Sequence, residues 1–203
     1  RKGEFLTIFG PNGAGKTTLI RILSTLLKPT SGTVRIGGTD AKDETEDLRR
    51  NIGLISHNTF LYDNLSAYEN IEFYGKMYDV ENIEEKGKQV IEEVGLSGRM
   101  NDLVQTFSRG MQQRLSIARA IIHDPKVMLF DEPYTGLDQH AAQMLKNMLK
   151  KLHTADRTVI MTTHNLQQGL EMCDRVAIQV AGRIVYQEDI AKVDLDNFEE
   201  IYF

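Results

Sequence analysis

Apolar positions along the chain follow two alternating rhythms. Phe5-Leu6-Thr7-Ile8-Phe9 is a short apolar run stopped by Gly10, the pattern of a buried strand. Leu19, Ile20, Leu23, Leu26 and Leu27 then recur at helical spacing, which predicts a helix over 16–27 closed by Pro29. Thr33-Val34-Arg35-Ile36 alternates like a hairpin strand before Gly37-Gly38, and Ile52-Gly53-Leu54-Ile55 reads as another strand. Strand patterns return at Val127-Met128-Leu129-Phe130, Thr158-Val159-Ile160-Met161-Thr162 and Val176-Ala177-Ile178-Gln179-Val180, with a helical pattern over 139–152 between the first two. Strands alternating with helices predict an α/β fold, a mostly parallel sheet with helices on both faces.

Residues 57–104 break this rhythm. Six of the fifteen Phe and Tyr residues (Phe60, Tyr62, Tyr68, Phe73, Tyr74, Tyr78) fall there among helix formers and acidic side chains, as in a separate helical insert. The expected organisation is a single domain, 1–203, with a core over roughly 1–56 and 121–203 and a helical subdomain over roughly 57–120.

Composition narrows the function classes. At 203 residues with 41% hydrophobic and 26% charged residues, the chain can bury a full core, and disorder is excluded as its main state. A net charge of −5 and the absence of any basic run longer than a pair such as Arg49-Arg50 or Lys150-Lys151 argue against a nucleic-acid partner. Cys173 is alone and cannot form an internal disulfide, which fits a reducing, cytosolic compartment. Apolar runs fall far short of the roughly 18 residues that span a bilayer. The start Arg1-Lys2-Gly3-Glu4 is no signal peptide, and the lack of an initiating Met reads as a trimmed or fragmentary chain.

Candidate chemistry begins where the first strand ends. Gly10-Pro11-Asn12-Gly13-Ala14-Gly15-Lys16-Thr17-Thr18 contains G-x-x-x-x-G-K-[ST] between a predicted strand and a predicted helix, the setting a phosphate loop requires. Its glycines let successive N–H groups turn toward phosphate oxygens, and the following helix adds its positive end. Lys16 is the point charge for the β- and γ-phosphates of a nucleotide, and the Thr17 hydroxyl is a hard ligand suited to Mg2+. Asp131-Glu132 ends another predicted strand, at the edge where open α/β sheets hold their ligands. Alone, such a pair serves equally as a helix cap; beside a phosphate loop it reads as Asp131 for Mg2+ and Glu132 for the base that activates water.

Between these two elements lies Phe107-Ser108-Arg109-Gly110-Met111-Gln112-Gln113-Arg114-Leu115, running into a helix with Met111, Leu115, Ala118 and Ile122 on one face. This segment resembles the signature motif of ABC-type ATPases. The order of motifs is also theirs: Lys16, Ser108, Asp131-Glu132, then Thr135-Gly136-Leu137-Asp138, then His164 after a strand. The resemblance spans nearly the whole chain. It implies a P-loop NTPase fold with an inserted helical subdomain, hydrolysis of ATP with Mg2+, and a head-to-tail dimer sandwiching two ATP molecules. It further implies that Ser108 and Gly110 reach the partner's γ-phosphate, that Asp138 helps pair the subunits and that His164 senses the γ-phosphate. Such subunits dock from the cytoplasm on transmembrane partners, which the resemblance places near Phe60 and Tyr62. The Met111 stripe is expected to be core. A Ser cap before a helix N-terminus at Arg109 is by itself a second anion site, separate from that at Lys16.

Three features depart from or refine this likeness. Phe107, Arg109 and Met111 stand where the family usually has Leu, Gly and Gln. His57 aligns with a glutamine that normally meets Mg2+; imidazole is a softer donor, so His57 is expected to act through hydrogen bonds to water or phosphate and to make turnover pH-sensitive. The family also stacks adenine on an aromatic some two dozen residues upstream of the phosphate loop, whereas nine residues precede Gly10. That contact is expected to be absent or supplied otherwise, the antiparallel β part incomplete and ATP affinity weak. His57, Phe60-Leu61-Tyr62 and Ser108-Arg109-Gly110-Met111 together resemble subunits of haem exporters for cytochrome c maturation, and more broadly drug and polysaccharide exporters. The alternative is a non-transport ABC ATPase acting on ribosomes or nucleic acid, against which stand the acidic charge and the lack of a long insertion.

Overall fold

One six-stranded sheet is built mainly from buried apolar strands. In chain order these are β1 (Phe5–Phe9), β4 (Ile52–Ile55), β5 (Val127–Asp131), β6 (Thr158–Thr163), β7 (Arg175–Val180) and β8 (Arg183–Asp189), while β2 (Arg35–Ile36) and β3 (Thr39–Asp40) form a small antiparallel pair. The computed structural model describes residues 1–43, 46–194 and 198. Spatial order in the sheet is β4-β5-β6-β1-β7-β8, parallel throughout except that β8 returns antiparallel along β7. Phe5, Phe9, Met128, Phe130, Val159, Met161 and Val176 are each 0% exposed, as expected for central strands covered on both faces. The α/β, mostly parallel architecture predicted from the sequence is the one observed.

The structure divides into two compact units. One comprises Arg1–Ser56, Lys126–Pro133 and Leu152–Phe203; the other comprises His57–Pro125 and Tyr134–Lys151. The first holds the sheet, α1 (Lys16–Leu23), α2 (Glu46–Arg50) and a short α7 (Leu166–Leu170). The second holds α3 (Ala67–Met77), α4 (Ile83–Glu93), α5 (Arg109–Ile121) and most of α6 (Gln139–Leu152). Its core gathers Ile71, Ile91, Val94, Val104, Leu115 and Ala118, with Phe107, Met111 and Ile122 packed alongside. The Met111 stripe is therefore core. Ser66 starts α3 with a reciprocal capping box: Glu69 N–H donates to Ser66 Oγ at 3.2 Å and Ser66 N–H donates to Glu69 Oε2 at 2.7 Å.

Two expectations are revised and one element is new. The first helix stops at Leu23, because Thr25 turns left-handed (φ 62°) and the N–H groups of Leu26 and Leu27 both return to the Arg21 carbonyl. Leu26 and Leu27 are accordingly exposed. Residues 121–125 and 134–151 group with the helical unit rather than with the sheet, since Ile121, Ile122 and Met148 pack on its core. Finally, β8 was not foreseen: Ile184 and Val185 are exposed, so no apolar alternation marks an inward face.

Candidate functional site

In the sheet unit, β1 delivers the chain into the phosphate loop and α1 leaves it. Gly15 caps α1 with φ 98°, a left-handed conformation that glycine adopts without a Cβ clash. Gly10 meets a different demand. A Cβ there would lie 2.3 Å from the Gln179 carbonyl oxygen, so the loop's first residue must be bare for β7 to pass beneath it. The turn between β7 and β8 supports the loop's middle: Gly182 N–H donates to the Ala14 carbonyl at 2.8 Å. Pro11, Asn12, Gly13, Thr17 and Thr18 are exposed on this curl, while Lys16 is buried.

Lys16 folds back over its own loop. Nζ donates to the carbonyls of Gly10 at 2.5 Å and Pro11 at 3.2 Å, and lies 3.2 Å from Glu132 Oε1. The other Glu132 oxygen, Oε2, is 2.8 Å from His164 Nδ1. One carboxylate therefore joins the loop lysine to the histidine that follows β6. Glu132 reaches this position by leaving the strand in a left-handed conformation (φ 51°), which for a residue with a side chain costs on the order of 1–3 kcal/mol. Its N–H donates to the Thr162 carbonyl at 3.1 Å, which fixes the turn. His164 is set between two anchored neighbours: Asn165 N–H donates to Thr163 Oγ1, and Asn165 Oδ1 caps α7 by accepting from Gln168 N–H, both at 3.0 Å.

Asp131, the last residue of β5, is buried, and its Oδ1 accepts from Thr162 Oγ1 at 2.8 Å. No group of three or more His, Cys, Asp or Glu side chains that could hold a metal occurs among the described residues. Mg2+ takes most ligands from water and phosphate and needs only one or two hard protein oxygens. Thr17 and Asp131 have the right chemistry: an exposed hydroxyl next to Lys16, and a carboxylate oriented by Thr162 next to Glu132.

The remaining predicted residues lie in the helical unit. Ser108 caps α5, its Oγ accepting from Met111 N–H at 3.3 Å. Asp138 caps α6, its Oδ1 accepting from Ala141 N–H at 2.7 Å. Both side chains are exposed, as is His57, whose Nδ1 is 3.0 Å from Arg109 NH2. Gly110 faces Ala141, with a Cβ there only 3.2 Å from that methyl group. Sequence reasoning brought together Lys16, Asp131, Glu132 and His164. It missed Thr162, Gln179 and Gly182, whose roles arise from neighbours distant along the chain.

An exposed aromatic group completes this unit. Tyr62 and Phe73 meet edge to face with centroids 5.0 Å apart, and Phe73 and Tyr74 at 5.3 Å. Beneath them Arg119, almost wholly buried, places its guanidinium 5.5 Å from the Phe60 ring centre and 5.3 Å from that of Tyr74. Burial pushes the Arg119 guanidinium and the Tyr74 phenol in opposite directions, the first down and the second up. The Tyr74 hydroxyl donates to the Phe60 carbonyl, holding Phe60 in a left-handed conformation (φ 55°).

Comparison with known proteins agrees with this geometry. The family described as ABC transporter matches residues 1–135. The ABC transporter ATP-binding protein NatA of Bacillus subtilis is 35% identical over 189 residues, covering 92% of this chain and 77% of NatA. The linearmycin resistance ATP-binding protein LnrL of the same organism is 37% identical over 187 residues, covering 91% of this chain and 60% of LnrL. The daunorubicin/doxorubicin resistance ATP-binding protein DrrA of Streptomyces peucetius is 36% identical over 180 residues, covering 88% of this chain and 54% of DrrA. Among solved structures, the dimeric, post-hydrolysis state of the ATP-binding cassette MJ0796 bound to ADP and Pi superimposes with a TM-score of 0.84. It shares 29% identity and covers 94% of this chain and 87% of its own. A phosphate loop whose lysine meets a carboxylate at the end of another strand of the same sheet, in a chain matched this widely, identifies an ATP-binding ATPase domain of the ABC transporter family.

Proposed function

We propose that this chain hydrolyses ATP to power solute export, as the cytoplasmic ATP-binding subunit of a transporter whose channel is a separate transmembrane partner. The observation that carries the catalytic part is Glu132, held between Lys16 and His164 beside the phosphate loop. No helix among the described residues is long and apolar enough to cross a membrane.

Residues 10–18 cradle the β- and γ-phosphates, and Lys16 exchanges its loop carbonyls and Glu132 for phosphate oxygens. Glu132, freed from Lys16, takes a proton from the attacking water. His164 holds the second carboxylate oxygen, so that Glu132 points at the γ-phosphate rather than into solvent. Thr17 and Asp131 would hold Mg2+, which would supply positive charge to the phosphates when bound. Ser108 and Gly110 supply a second anion site, which a head-to-tail dimer brings to the partner's nucleotide; Asp138 lies at that seam. The dimeric state of MJ0796 supports this pairing.

The exposed group Phe60, Tyr62 and Phe73 is the proposed seat of the transmembrane partner, because aromatic side chains on a rigid base are typical interface anchors. Relatives named for linearmycin and daunorubicin resistance support drug export. Haem export is the narrower form of the proposal and rests on the His57 to Tyr62 pattern. Co-expression with the membrane subunit, purification of the complex and uptake into inverted vesicles test the reading, with daunorubicin and haem as separate probes. ATP-dependent accumulation of either, abolished by Glu132→Gln, is the expected result. Binding to ribosomes with no membrane subunit retained would overturn it.

A further inference from the structure

Two residues that depart from the usual family pattern, His57 and Arg109, touch each other although 52 positions separate them. Arg109 NH2 stands 3.0 Å from His57 Nδ1. The same guanidinium lies flat against Gly136: a Cβ there would be 2.7 Å from Cζ, 2.8 Å from NH1 and 3.0 Å from Nε. Gly136 is also left-handed (φ 74°), so its backbone disfavours a side chain, and a Cβ there would push the guanidinium aside. One arginine thus joins three segments: the loop entering the aromatic group, the helix headed by Ser108, and the turn that follows Glu132 in sequence and ends in Asp138.

The chemistry of the pair fixes more than position. An arginine side chain only donates hydrogen bonds, so His57 Nδ1 must be the acceptor and the neutral ring carries its proton on Nε2. His57 is therefore presented as an N–H donor. A glutamine at this position offers an acceptor oxygen to Arg109 and an N–H2 donor beyond it, which keeps the bond to Arg109 and a donor on the far side.

We infer that Arg109 is a positioning residue, one that ties His57 and the Gly136 turn to the Ser108 helix so that movement of the partner-bound loop at residues 57–62 is passed to the second anion site. The inference rests on the reading of Ser108 and Gly110 as that site. Arg109 touches no nucleotide in this scheme. Its loss leaves the phosphate loop intact and loosens the part that completes the partner's pocket.

The test uses the full-length protein with its membrane subunit and a double-mutant cycle. Arg109→Ala and His57→Ala each lower kcat about 10- to 100-fold, the range of one hydrogen bond to a charged group, with KM for ATP within about twofold of native. The double variant is no slower than either single one. His57→Gln stays closer to native than His57→Ala, and in its background Arg109→Ala is again costly. Nitrogen and carbon shifts of His57 in the isolated full chain show the Nε2–H form, lost in Arg109→Ala while the thermal midpoint is unchanged. Losses that multiply, effects on KM alone, or an Nδ1–H tautomer in the native protein overturn the inference. Failure of the underlying reading is distinguishable: Ser108→Arg would then leave ATP hydrolysis at the native rate and the mass of ATP-bound Glu132→Gln unchanged, whatever the cycle shows.

Discussion

Lys16 Nζ and Glu132 Oε1 are 3.2 Å apart, so the cation proposed to serve the phosphates and the carboxylate proposed to serve the water are ion-paired. Both are largely shielded from solvent, with 6% and 20% of their side chains exposed. A triphosphate carries more charge than one carboxylate and competes for the same Nζ. In the proposed mechanism, binding of nucleotide and release of the base are one event.

Replacement of Glu132 by Gln keeps the shape and removes the proton acceptor. We expect ATP binding to persist and turnover to fall about 10²- to 10⁴-fold, the share of a positioned general base. His164→Ala leaves the carboxylate untethered on one side and should lower kcat with little change in ATP affinity. Single-turnover hydrolysis of labelled ATP measures both.

Lys16→Ala acts at the other end of the pair. Its loss strands the Gly10 carbonyl and Glu132 without their donor and deprives the phosphates of their point charge. The expected defect is in binding, seen as a loss of saturation in a fluorescent-ATP titration at concentrations that saturate Glu132→Gln.

Gly10→Ala tests the contact between the phosphate loop and β7. The new methyl group meets the Gln179 carbonyl oxygen, a backbone atom that cannot rotate away. An overpacking cost of about 1–3 kcal/mol should lower the thermal midpoint by several degrees and weaken ATP binding. A variant with native midpoint and affinity would show that the loop tolerates the methyl group by moving.

Cys173 offers a pH readout of the fold. Burial pushes its thiol from 9.0 up to about 11. Below pH 9 folded and unfolded chains both keep this proton, so the thiol adds no pH dependence. Between about pH 9 and 11 the unfolded thiol ionises first, the unfolded chain binds fewer protons, and stability falls as pH rises. Cys173→Ser should flatten that part of the stability curve measured by urea unfolding. At pH 8 the native thiol should resist iodoacetamide until denaturant is added.

Much of this is legible in the sequence. The strands β1, β4, β5, β6 and β7 carry continuous apolar runs because they are covered on both faces, and α6 spans the predicted 139–152 because its apolar spacing is regular. The phosphate loop and the Asp131-Glu132 strand end are local patterns and could be read as such. Other features lie beyond local pattern. The end of α1 depends on the left-handed Thr25, and β8 has too little buried surface to show a period. The left-handed turn at Glu132, the support of Ala14 by Gly182 and the pairing of His57 with Arg109 are made by residues tens of positions apart or by a single backbone angle.

Whether two copies close over two nucleotides is decided by the mass of the Glu132→Gln protein in solution. Sedimentation with saturating ATP and Mg2+ should give twice the mass found without nucleotide, and Ser108→Arg should return it to the single-chain value. A single-chain mass at every protein concentration, with ATP demonstrably bound, would contradict the shared site.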